Sequence, residues 1–260
     1  MINTQQAIAF VRAEGNGVEL ARLALLRDGK RPSADILAQF SSSQQPDGGW
    51  SPFWAADYSS LDATCYHLTQ LDQLGADASE IVVRRALDFL QRRQRTDGTW
   101  EEETAISEQA PPWAKPGDLA ARLYLTANCG FWLARFGHVE TAVPATAHLH
   151  NAQEPSGKLP SFLQTNWLAA ALWHLNNRPT ATAASLDYLA TQLGKLSANN
   201  LTWLLTTFQS AQMDNSHEFV QAAQTRLAGM QEENGRFPSD DMMERDVHVT
   251  LEALRVFSIR

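Results

Sequence analysis

The sequence predicts an all-α fold, an (α/α)6 toroid in which a double ring is built from six inner and six outer helices. Three observations carry that expectation. A short segment with Gln, Gly and an aromatic residue recurs along the chain, the apolar residues between its copies fall at helical spacing, and charged amphipathic helices alternate with uncharged ones. Residues 1–260 are read as one such domain.

The spacing of apolar residues predicts twelve helices, near residues 3–14, 17–28, 33–44, 58–75, 79–95, 117–137, 140–152, 162–177, 181–193, 197–212, 215–230 and 244–258. No run sustains the period-two alternation that a half-buried strand requires. After the third helix stands Gln45-Pro46-Asp47-Gly48-Gly49-Trp50, and near the end of the fifth Gln94-Arg95-Thr96-Asp97-Gly98-Thr99-Trp100, the two tryptophans fifty residues apart. Gln153-Glu154-Pro155-Ser156-Gly157-Lys158-Leu159 keeps the Gln and Gly but loses the aromatic, whereas Gln231-Glu232-Glu233-Asn234-Gly235-Arg236-Phe237 keeps Gln, Gly and Phe. Each copy lies between two helical segments.

The helices differ in their surroundings. Ser79 to Arg95 sets Glu80, Arg84, Arg85, Asp88, Arg92, Arg93 and Arg95 around a stripe of Val83, Ala86, Leu87 and Leu90, so one face meets water. Ser161 to Leu175 and Ser197 to Gln212 contain no charged residue, and Leu119 to Phe136 is nearly as apolar, so other elements must cover them. Inner helices forming a barrel, with the amphipathic ones around it and short loops between neighbours, satisfy both requirements. An open solenoid is the other packing, and its end repeats would need polar caps.

Composition narrows the function. At 260 residues, 44% hydrophobic and 19% charged, the chain is globular, and its formal charge of -8 is spread without any basic patch carrying interleaved aromatics. Nucleic acid is therefore not an expected partner. The N-terminus lacks a basic region followed by a long apolar run, and no apolar stretch approaches about 18 residues, so the expectation is a cytoplasmic protein that is not transmembrane. Cys65 and Cys129 lie inside apolar helical patterns and are expected as buried thiols of a reducing compartment.

Gln45 to Trp50 and Gln94 to Trp100, with Phe89-Leu90 leading into the second, resemble the QW motif of squalene and oxidosqualene cyclases. The resemblance extends as repeats over nearly the whole chain and places it in the squalene cyclase and protein prenyltransferase β-subunit superfamily. It implies the toroid, and it implies that each Gln pairs with backbone and stacks on the Trp, tying neighbouring hairpins together. An amide can cap helix-end carbonyls, Gly supplies a left-handed residue beyond the end and Trp covers the junction. The cyclases of this superfamily usually place their cavity between two helical domains, and this chain has material for one.

Inner helices running parallel would gather their N-termini at one mouth, which favours negative charge. In that register Asp62 of Ser60-Leu61-Asp62-Ala63-Thr64 stands opposite His248 of Asp246-Val247-His248-Val249-Thr250, with Asn166, Asn199 or Asn200, and Asp118 near the same level. The plain alternative is that these residues cap helices. The resemblance implies more. Class II terpene cyclases protonate an alkene or epoxide with the middle Asp of a D-x-D-D-T pattern. Asp246 and Thr250 match its ends but His248 and Val249 replace the inner acids, while Asp62 and Thr64 look like the shorter Asp-x-Thr form. Asp62 is thus the expected general acid, with Asp246 and His248 assisting it or holding an anion.

A carbocation also needs aromatic faces, which stabilise positive charge without attacking it. Trp54, Tyr58, Tyr66, Trp113, Trp167 and Trp203 are the candidates, with core packing as the alternative for each. Of these, Trp54, Tyr58, Tyr66, Trp167 and Trp203 form, with Asp118 and Asn166, the expected substrate-binding set for a prenyl or other lipid-like small molecule. No cofactor is expected on this reading. Two metal readings compete with it: magnesium at Asp240-Asp241-Met242-Met243-Glu244, and zinc at Asp62, Cys65 and His248, by the likeness of Asp62-Ala63-Thr64-Cys65-Tyr66 to the zinc-binding stretch of prenyltransferase β-subunits. Three function classes follow: a class II terpene cyclase-like enzyme, a non-catalytic toroid holding a lipid or a partner protein, and a zinc-dependent prenyl transferase-like protein. A homodimer or a partner protein is compatible with the last two.

Overall fold

The computed structural model of the chain describes residues 2–241 and 243–258. It contains α1 (Thr4–Glu14), α2 (Gly17–Asp28), α3 (Ala34–Ser43), α4 (Leu61–Gln73), α5 (Ile81–Arg93), α6 (Leu119–Arg135), α7 (Val139–Ala152), α8 (Leu163–Leu175), α9 (Pro179–Gln192), α10 (Ala198–Ser210), α11 (Glu218–Ala228) and α12 (Asp246–Ser258). Among the described residues there is no strand, only an isolated bridge between Trp50 and Ser60. All twelve expected helices are present, most of them shorter by a turn or less because local caps stop them. Asn16 and Glu19 form a reciprocal capping box at α2, which ends on left-handed Gly29. Ser60, Asp118 and Ser197 each accept the backbone N–H three residues on, from Ala63, Ala121 and Asn200.

Two packed units make up the chain, residues 38–189 and residues 1–37 with 190–260. In the first, α6 is enclosed by α4, α5, α7 and α8, and every residue from Leu123 to Ala134 is buried. Arg135 at its end binds the buried Asp72 of α4 at 2.7 Å. In the second unit α12 packs against α1, α2 and α10. A buried ion pair joins Arg22 of α2 to Glu252 of α12 at 2.6 Å. Among the described residues no helix is long and apolar enough to cross a membrane.

The recurring segments are clasps with one geometry. Gln44 Nε2 donates to the carbonyls of Gly48 (2.8 Å) and Val82 (3.0 Å), and Gln94 Nε2 donates to those of Gly98 (3.2 Å) and Thr141 (3.1 Å). Gln153 repeats this with Gly157 and Ala181, and Gln231 with Gly235 and Asn3. Each amide therefore closes its own turn and grips the start of another helix of its unit. The first copy begins at Gln44, not at Gln45, whose amide instead reaches Ser51 Oγ at 2.9 Å. Two adjacent glutamines read alike in sequence, and only Gln44 lies four residues before the turn glycine. Trp50 and Trp100 donate their indole N–H groups back to Phe40 and Leu90, ten residues earlier in each case.

The aromatic residue of each turn is also tied to the following helix. The backbone N–H of Trp50 donates to Thr64, that of Trp100 to Thr126 and that of Phe237 to Thr250, while Leu159 uses Asn166 Oδ1. Thr64 and Thr250 thus serve the frame. The turn glycines cannot be exchanged freely. Gly157 has φ +83°, and a Cβ there would lie 1.9 Å from the Ala184 carbonyl oxygen; at Gly48, φ +96°, the Arg85 oxygen would be 2.2 Å away. Gly157→Ala is expected to cost about 2–3 kcal/mol, from left-handed strain and displaced backbone. Urea unfolding should show a lower midpoint at unchanged slope; an unmoved midpoint would refute the tight approach.

Candidate active site

The start of α4 carries the site. Ser60 caps the helix, which places Asp62 in its first turn, where the helix dipole favours a carboxylate. Both side-chain oxygens of Asp62 are held. Tyr124 of α6 donates its hydroxyl to Oδ1 at 2.6 Å, and Trp113, in the turn Pro112–Ala114, donates its indole N–H to Oδ2 at 3.1 Å. Tyr124 is buried, takes a bond from Asn128 Nδ2 at 3.3 Å and meets Phe162 edge to face with centroids 6.1 Å apart. Burial, and then the charge of Asp62, push its phenol well above the usual range, so it remains a donor. The two donors stabilise the charge left on Asp62 once its proton has gone, and the rings of Trp113, Tyr124 and Phe162 stand close by.

Behind Asp62 lies a second carboxyl. Glu102 is 3% exposed. Its Oε1 accepts from Ser60 Oγ at 2.8 Å and from the Leu61 N–H at 2.9 Å, and its Oε2 accepts from the Tyr58 hydroxyl at 2.8 Å. Tyr58 in turn accepts from Arg93 at 2.9 Å and from the Glu103 N–H at 3.0 Å. Burial pushes the Glu102 carboxyl up to about 7, with the charge of Asp62 adding to the rise and the Ser60 and Tyr58 hydrogen bonds opposing it. Trp54 lies against Tyr58 with ring centroids 6.2 Å apart.

Other expected residues lie elsewhere or serve the frame. Tyr66, one turn beyond Asp62, is 41% exposed and its hydroxyl takes a bond from Gln70. Asp118 is exposed and caps α6. Asn166, expected at the rim, is instead wholly buried and spends its amide on Leu159 and Phe162, which makes it part of a clasp. Trp167 is wholly buried too, within α8. Trp203 is partly exposed on α10.

Asp246 and His248 belong to the other unit. Asp246 is buried, accepts the Ser239 N–H at 2.7 Å and pairs with Arg236 at 2.9 Å, so its carboxylate anchors the turn before α12. His248 Nδ1 lies 3.3 Å from Arg22, which can only donate, and its Nε2 lies 3.7 Å from Glu252. Burial takes its imidazole down to about 4, with Arg22 and Arg245 adding to the fall and Glu252 opposing it. It is therefore neutral at pH 7, which corrects the expectation of an imidazolium that holds an anion.

Among the described residues no group of three or more His, Cys, Asp or Glu side chains is placed to hold a metal. Of the expected zinc set, Cys65 directs its thiol to the buried Cys129, with the sulfurs 3.8 Å apart. Met242 of the expected magnesium segment lies outside the described residues. Two open grooves, of about 670 Å3 along α11 and about 290 Å3 beside α1, hold none of the expected residues.

The sequence reading missed Tyr124 and Glu102. Tyr124 sits in a helix that reads as core, and Glu102 is the middle of three consecutive glutamates.

Comparison with known proteins agrees with the helical repeats. The family model of the squalene-hopene cyclase C-terminal domain matches residues 18–166. Solved structures of the type II terpene cyclase MstE from Scytonema are similar over nearly the whole chain. The apo form shares 13% identity at a TM-score of 0.64, covering 98% of this chain and 96% of that one. An arginine-to-alanine variant in complex with its substrate, geranylgeranyl dihydroxybenzoate, shares 12% at 0.63, covering 98% and 95%. An aspartate-to-alanine variant in complex with its product, merosterolic acid A, shares 12% at 0.60, covering 97% and 94%. At such identities the likeness is one of fold, and it gives this chain the expected all-α toroid class. A search of curated protein sequences returns no match.

Proposed function

Since the chain belongs to the squalene-hopene cyclase C-terminal domain family, we propose that it is a class II terpene cyclase-like enzyme that modifies isoprenoids by protonation-initiated carbocation cyclisation. The observation that carries this reading is Asp62, set in the first turn of α4 with its two oxygens held by a phenol and an indole. Asp62 gives its proton to one carbon of a prenyl alkene, and the electron pair of that double bond forms the new C–H bond. The adjacent carbon becomes a cation, the next alkene closes on it, and loss of a proton from the last cation restores a double bond. Substrate and product are then isomers, and Asp62 is recharged by water. Tyr124 and Trp113 stabilise the carboxylate between turnovers, while the faces of Trp113, Tyr58 and Trp54 stabilise positive charge.

Length supports the same reading. The chain spans 95% or more of two of the MstE structures, so a fold of this size accompanies type II cyclisation in that protein. The direct test offers purified protein geranylgeranyl dihydroxybenzoate, geranylgeranyl diphosphate and squalene. A cyclic product of unchanged mass from any of them is the expected result. Binding of one of them without conversion would replace the enzyme by a lipid-binding toroid, and release of diphosphate would favour a transferase.

A further inference from the structure

We propose that Glu102 is a positioning residue for Asp62, closing the start of α4 directly before that acid. The inference rests on Asp62 as the proton donor. Glu102 ties the N–H of Leu61, the Ser60 cap and Tyr58 together, and Leu61 directly precedes Asp62. The titratable and charged groups facing it are Tyr58 from the preceding loop, Asp62 and Cys65 of α4, Arg93 at the end of α5 and Cys129 of α6, with Glu103 beside Arg93.

The geometry gives its two charge states different networks. As a carboxylate, Glu102 accepts from all three donors, and the Tyr58 oxygen is left to accept from Arg93 and the Glu103 N–H. Once protonated, Glu102 turns one of its acceptor oxygens into a donor, toward the Ser60 hydroxyl or toward Tyr58. In the first case Ser60 can no longer donate to it, and in the second a phenol oxygen with two lone pairs cannot accept from Glu102, Arg93 and Glu103 together, so the bonding at the start of α4 changes either way. Burial favours the protonated form and the three donors favour the charged one, which places the change near neutrality. The ionised form, which keeps every bond at the start of α4, is therefore the working one.

Turnover should therefore rise roughly 10- to 100-fold as pH increases through about 7, up to the about 10²-fold that a 1 Å misplacement can cost. Glu102→Gln copies the protonated form at every pH, so its profile should be flat at the low level. Tyr58→Phe removes a donor to the carboxylate and should move the inflection to higher pH. A purely structural role would lower melting temperature without moving that inflection. Carbon-13 titration of glutamate carboxyls in the free protein supplies a readout that needs no substrate: one resonance should titrate near 7 and vanish in Glu102→Gln. An unchanged pH profile in both variants, or no such resonance, would overturn the proposal. If Asp62→Asn retains turnover, the acid assignment falls while the carboxyl titration is still read on its own.

Discussion

Asp62→Asn should abolish cyclisation, lowering turnover by at least about 10³-fold while leaving the melting temperature nearly unchanged. The general acid of a reaction that begins with protonation has no substitute at the same place, and such groups contribute about 10²–10⁴-fold even where chemistry can proceed without them. Asparagine keeps the size of the side chain and can still accept from Tyr124 or Trp113, so the loss would belong to chemistry and not to folding. Tyr124→Phe should have a smaller effect of the same sign, because Asp62 keeps its proton but loses one donor to its conjugate base. Product formation from a substrate that the protein converts is the measurement. Full activity in Asp62→Asn would remove this carboxyl from the mechanism.

The largest effect on stability is expected at Arg22. It is 2% exposed and held 2.6 Å from Glu252, itself 3% exposed, with His248 against the same guanidinium. Arg22→Leu leaves the Glu252 carboxylate buried without that guanidinium and should cost roughly 3–5 kcal/mol. At the usual scale for chains of this size, that lowers the melting temperature by roughly 10 °C. The double variant Arg22→Leu with Glu252→Leu should recover much of the loss, since burying two apolar chains avoids the desolvation of both charges. If the single variant unfolds at the temperature of the parent, the pair contributes nothing to the fold.

The helices were legible because burial writes itself into period and charge. Ser197 to Gln212 has no charged residue and forms α10, and the stripe of Val83, Ala86, Leu87 and Leu90 is the buried side of α5. The clasps were legible too, and the spacing of Gln94, Gly98 and Trp100 fits Gln44 and not Gln45 in the first copy, as the carbonyl partner on α5 shows. The site was harder to read. Glu101, Glu102 and Glu103 look alike in sequence, yet Glu101 binds Arg95 and Arg122, Glu103 is mostly exposed on Arg93, and only Glu102 turns inward to Ser60. Tyr124 reads as one more apolar contact because nothing local reveals that its hydroxyl meets a residue far away in the chain. Asn166 misled in the other direction: a polar residue near a helix start resembles a ligand group, and here it substitutes for the threonine of the other repeats.

The clasps fasten each turn at its glycine and aromatic residue, and the first of the stretches from there to the next inner helix returns to its clasp at the end, where the Ser60 N–H donates to the Trp50 carbonyl and Ser59 Oγ to Asp47. Those stretches, residues 51–60 and 101–118, hold Trp54, Tyr58, Glu102 and Trp113. Residues 107–112, exposed or partly exposed beyond the buried Ile106, are the portion where exchanges in a library of variants should leave Gln94, Gly98 and Trp100 fastening the hairpins. Product diversity would then be sought by swapping such inserts, with the helical frame left untouched.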